Sequence, residues 1–121
     1  MAIREVLPGL FHWSALHPKI RSTVHSYYYA AGDPPVMLDP MVPNEGAEAF
    51  SDRPPRHIVL TNRHHYRDSD RFLASYSPEI WCHEAGLHEF TESQPVRGFA
   101  HGDTLPAGIE AGPAGETVVL R

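Results

Sequence analysis

HIVLTNRHHYRDSDRF, residues 57–72, is the stretch on which the fold turns. Ile58, Val59 and Leu60 form an unbroken apolar run, the mark of a strand buried on both faces rather than one alternating between core and water. The next twelve residues, TNRHHYRDSDRF, hold two histidines, three arginines, two aspartates and a tyrosine. Asp68 or Ser69 is placed to cap a helix in which Phe72, Leu73 and Tyr76 share one face. The pattern predicts strand, polar loop, helix.

Upstream, VMLDP (36–40) reads as a short buried strand closed by Asp39 and Pro40. NEGAEAF (44–50) is a weak helix signal, with Asn44 as the cap and Gly46 as the liability. RPPRH (53–57) breaks the chain before the central strand. Downstream, EIWCH (79–83) is the next strand and EAGLHEF (84–90) a short helix or turn. The centre, Val36 to Cys82, is therefore β-α-β-α-β, with connections suited to parallel crossovers. IREVL, LFHW and TVHSYYYA make the first third strand-rich, while PVRGF, DTLPAGIEA and TVVLR close the chain as β segments. This predicts a mixed α/β sheet in one domain over residues 1–121. Ligands of open parallel sheets collect at the carboxyl ends of the strands. Asp39, the loop from Thr61 to Asp68, and His83 with Glu84 all fall on that rim.

Composition narrows the partners. An apolar fraction of 41% supports a packed globule rather than disorder. The single cysteine, Cys82, excludes an internal disulfide or cysteine-rich zinc framework and reads as a core thiol. No apolar run approaches the roughly 20 residues of a membrane span. MAIREVLPGLFHW lacks the apolar centre of a signal peptide, so a soluble cytoplasmic protein is expected. A net charge of −5 argues against nucleic-acid binding. Yet from Arg53 to Arg71 five arginines face two aspartates, leaving +3 before any histidine titrates. That local excess suits a small anion.

VMLDP, HIVLTNRHHYRDSDRF, IWCHE and FAHGDTLPAG (99–108), with its Gly-Asp turn, resemble the first half of the metallo-β-lactamase superfamily in order and spacing. The resemblance covers nearly the whole chain. It implies half of an αββα sandwich and a hydrolase in which a water acidified by zinc or iron attacks an ester, thioester, amide or phosphoester bond. The family's loop, His-x-His-x-Asp-His, follows a strand and Thr. Set directly after Thr61, its ligand positions fall on Asn62, His64, Tyr66 and Arg67; shifted by two, on His64, Tyr66, Asp68 and Ser69. The motif is degenerate in both registers, and His64 and Asp68 are the metal ligands it points to. IEAGPAGETVVL (109–120), where a further ligand is expected, holds no histidine.

Two functions follow as expectations. One is a hydrolase-like protein with an altered or lost metal site. The other is a non-catalytic module that binds a small anion through Arg63 and Arg67, or a partner chain, with no metal at all. Asp39 is expected to orient the neighbouring loop by accepting its donors, and Asp68 has the alternative role of helix cap. His64 and His65, being adjacent, point to opposite faces on an extended segment. Nothing in the sequence converges on His12, His17 or His25. Half a sandwich would leave one sheet face bare at Tyr27, Tyr29, Val36, Leu38 and Val59, so a homodimer or a partner chain is expected to cover it.

Overall fold

The computed structural model describes residues 3–111 and 118–119. Seven strands lie in one sheet in sequence order: β1 (Arg4–Leu7), β2 (Leu10–His17), β3 (Ser22–Tyr29), β4 (Val36–Leu38), β5 (His57–Val59), β6 (Glu79–His83) and β7 (Val96–Phe99). The first four run antiparallel, and β4 to β7 are parallel. The fold is thus α/β with a mixed sheet, and the expected parallel set of β4, β5 and β6 is present. Pro8-Gly9 turns β1 into β2, with Gly9 at φ 75 supplying the positive dihedral that such a tight turn needs.

Each parallel step moves the same way across the sheet, so crossovers of one hand must all fall on one face. They do. The first carries a 3₁₀ turn (Ala47–Phe50), the second helix α1 (Ser69–Tyr76), and the third a 3₁₀ segment (Glu84–Glu89). Ala47, Phe50 and Phe72 pack onto Trp13, Tyr28, Met37, Ile58, Ile80 and Cys82. A Cβ on Gly86 would sit 3.3 Å from Cys82 Sγ, which is how closely the third crossover approaches the sheet. Trp13 donates to the Met41 carbonyl at 2.9 Å, and the Tyr28 hydroxyl donates to that of Arg53. Burial is the largest cause of the Tyr28 phenol's rise to about 12, so it remains a donor.

The helix expected over residues 44–50 is instead a single 3₁₀ turn. Gly46, at φ 87, takes the capping position in place of Asn44, and Pro54-Pro55 stop the chain soon after Phe50. Four helical residues are too few to form an α-helix of their own. In α1 the expected face holds: Phe72 is fully buried, Leu73 and Tyr76 are partly so, and Ser77 at φ 54 closes the helix by donating to the Leu73 carbonyl.

The bare-face expectation needs correction. Val36, Leu38 and Val59 are buried by the chain itself, in a second core with Phe99, Leu105, Ile109 and Ala111. The segment after β7 returns across this face through a 3₁₀ turn (Pro106–Gly108) and β8 (Glu110–Ala111). Of TVVLR (117–121), Val118–Val119 is described: it forms β9, antiparallel to β8; the rest lies outside the described residues. What stays open is the β1–β3 end, where Leu7, Leu16 and Tyr27 are exposed. Among the described residues, no helix is long and apolar enough to cross a membrane.

His57 gives this second face a pH response. It accepts a 3.1 Å hydrogen bond from the Trp81 indole. Burial holds its pKa below the ordinary 6.5; Glu79 pulls the other way, and Arg56 and Arg97 add to the depression. The unfolded chain therefore binds this proton more tightly than the folded one. The stability at stake is fully present above pH 6.5 and is lost as the pH falls below it. Urea unfolding between about pH 7 and pH 5 is expected to show a shallower acid loss in His57→Gln than in the parent. Parallel slopes would remove His57 as a cause.

Candidate functional site

The chain leaves β4 at Asp39 and passes through Arg67 before α1, and both residues have positive φ, 50 and 48. For most residues other than glycine this costs about 1–2 kcal/mol, and aspartate, whose short side chain bonds locally, bears it at less cost. It persists where surrounding bonds over-determine the backbone. Asp39 Oδ1 accepts the Thr61 N–H at 2.7 Å; Oδ2 accepts the Thr61 hydroxyl and lies 3.3 Å from His65 Nδ1. The Asp39 carbonyl accepts from Ser26 Oγ and from Arg67 Nη1, each at 2.8 Å, and Arg67 Nη1 also donates to the His25 carbonyl at 2.8 Å. One carboxylate and one guanidinium thereby tie β3, the end of β4 and the loop after β5 into a single rim.

Asp68 stands at the cap position of α1, yet its side chain makes no cap bond. It reaches across the rim, where Oδ2 accepts the Val42 N–H at 2.8 Å while its own N–H donates to the Pro40 carbonyl. Asn62 Oδ1 accepts the His64 N–H at 2.8 Å, which sets the turn that exposes the His64 ring. The Tyr66 hydroxyl donates to Asp70 at 2.5 Å. Burial first, then this bond and the Asp70 charge, push its pKa up, so at neutral pH it is a donor and not a base. Burial lowers the Arg67 pKa against the opposing pull of Asp39, and a guanidinium still stays charged throughout the physiological range.

These groups border a cleft of about 620 Å³ between the loop and the β2–β3 turn. His64, His65, Arg67 and Asp68 line it from the loop, and His17 and Lys19 from the turn. His17 Nδ1 accepts the Lys19 N–H at 3.2 Å, which fixes the tautomer with a proton on Nε2. In the sequence nothing converges on His17, Lys19 does not stand out, and His65 reads only as the neighbour of His64 facing the other way. No local signal marks the first two, because only the length of the β2–β3 hairpin carries its turn over the loop.

The expected site residues are thus placed as follows. Asp39 receives the loop's donors, and His64, Arg67 and Asp68 share the cleft. Arg63 stands apart, its Cβ and Nε beside Gly86 on the helix-bearing face. Among the described residues, no three His, Cys, Asp or Glu side chains form a group that could hold a metal ion. Asp68 Oδ2 is engaged by a backbone N–H, and the Arg67 guanidinium stands beside the same loop. The donor set around His64 and Asp68 does not fit zinc or iron as the resemblance would have it. The sequence matches no protein-family model, and no curated protein is significantly similar to it.

Proposed function

We propose that the chain is a non-catalytic cytoplasmic module that binds a small anion, on a metallo-β-lactamase-like fold whose metal chemistry has been given up. The observation that carries this reading is the meeting of His17 and Lys19, from the β2–β3 turn, with Arg67, from the loop after β5, around one cleft. Arg67 is held by two carbonyls and so offers a fixed charge, Lys19 offers a mobile one, and His17 offers a neutral Nε2–H donor. Asp68, Asp70 and Glu92 on the same walls oppose an anion; the Val42 N–H and the Tyr66 hydroxyl each occupy one oxygen of the first two without cancelling its charge. Binding is expected to be reversible and to weaken with salt.

The test is a nuclear magnetic resonance titration of ¹⁵N-labelled protein with inorganic phosphate. Saturable shifts are expected at Lys19, His65 and Arg67, and Lys19→Gln should weaken binding about tenfold, the worth of one hydrogen bond to a charged group. Lys19 is exposed, so the variant should fold like the parent. Phosphate shifts confined to other parts of the surface, or a Lys19→Gln variant that binds as well as the parent, would move the site elsewhere.

A further inference from the structure

The open end of the second sheet face carries a pair of imidazoles that the anion cleft does not use. His12 on β2 and His25 on β3 lie on the same face, one pleat apart: His12 stands opposite Tyr27, and His25 opposite Ser14. His12 Nε2 and His25 Nδ1 are 2.9 Å apart, with the rings within 20° of parallel. Both rings reach solvent. The backbone under His25 is held by the Arg67 bond to its carbonyl, and the Tyr27 ring lies 5.1 Å from that of His12.

We propose that His12 and His25 form a two-imidazole chelate for a divalent transition ion, with Cu(II) preferred, on the exposed face of β2 and β3. Imidazole nitrogens bind such ions at about 2.0–2.1 Å. At that bond length, donors 2.9 Å apart subtend about 90° at the ion, the angle of a square-planar or tetragonal centre. Tetrahedral zinc needs its donors about 3.3 Å apart. A tetragonal angle is thus open to this pair, and the general order of affinities places copper above nickel and zinc. The bond between the rings is given up, and each ring reorients by about 45° so that both lone pairs face one ion at a tetragonal angle. Water completes the coordination, and the site is separate from the loop at His64. Arg4 stands directly opposite His12 in the β1–β2 pairing and opposes a cation with its charge.

The experiment is a titration of metal-free, tag-free protein with Cu(II), Ni(II) and Zn(II), followed by calorimetry and, for copper, by electron paramagnetic resonance. One copper per chain at this site is expected, with a tetragonal spectrum showing two equivalent nitrogens, and with zinc binding at least tenfold weaker. His12→Gln and His25→Gln should each weaken copper about a hundredfold, the loss of an intramolecular second donor. Arg4→Gln should tighten it, and His64→Gln should leave it unchanged. Copper that survives both His12→Gln and His25→Gln, zinc that equals copper, or copper lost in His64→Gln would each overturn the proposal. Circular dichroism of every variant separates a lost ligand from a lost fold.

Discussion

Asp39→Ala is expected to lower stability by about 2–4 kcal/mol, the largest effect of any single polar substitution at the rim. Two causes add. The Thr61 N–H and hydroxyl lose the oxygens that accept them, and a part-buried donor left without a partner costs about 1–3 kcal/mol. Alanine also inherits φ 50, which its Cβ tolerates poorly, at a cost of about 1 kcal/mol or more. The two causes separate cleanly by substitution. Asp39→Gly relieves the dihedral and still lacks the acceptor, so it should fall between alanine and the parent. Asp39→Asn keeps an acceptor and tolerates the dihedral, so it should be the mildest of the three. Chemical denaturation gives the order. An alanine variant no worse than glycine would remove the backbone argument, and an asparagine variant as damaging as alanine would remove the acceptor argument. The same loss frees the loop that carries His65 and Arg67, so phosphate binding should weaken in parallel with stability.

Phe72→Ala is expected to cost more still, about 3–5 kcal/mol. Phe72 is the fully buried anchor of the only α-helix among the described residues, and its ring meets Phe50 at 5.8 Å above the parallel strands. Removing it leaves a void that short strands and an eight-residue helix cannot close without moving. Domains of this size hold about 5–15 kcal/mol in all, so the variant should melt about 15 °C lower or fail to fold. Phe72→Leu fills most of the volume and should recover over half of the loss. A Phe72→Ala variant within about 1 kcal/mol of the parent would mean that α1 is not part of the cooperative core.

The parallel centre was legible because its strands are short apolar runs bounded by Asp-Pro, by Pro-Pro and by a charged loop. VML and HIV have no alternation to confuse them with half-exposed strands, while EIWCH alternates in burial around Ile80 and Cys82. The cover over Val36, Leu38 and Val59 was not legible. Leu105 and Ile109 are isolated apolar residues among Pro and Gly, and a 3₁₀ turn that folds back over a sheet leaves no periodic trace. The rim was half legible. Asp39 ends a strand, where a carboxylate has obvious work, whereas the reach of Asp68 to Val42 depends on how two loops lie against each other. The His12–His25 pair is a matter of register. Read along the chain, the two are thirteen residues apart with nothing in common; the hairpin brings them together.

The anion binding proposed for the cleft needs no metal. Isothermal titration of tag-free protein with inorganic phosphate, in chelator and again after zinc is restored, tests it most directly. One saturable site per chain is expected, with the same affinity in both conditions and weakened by Lys19→Gln. Phosphate binding or ester hydrolysis that appears only with zinc restored, and that disappears in His64→Gln, would contradict it.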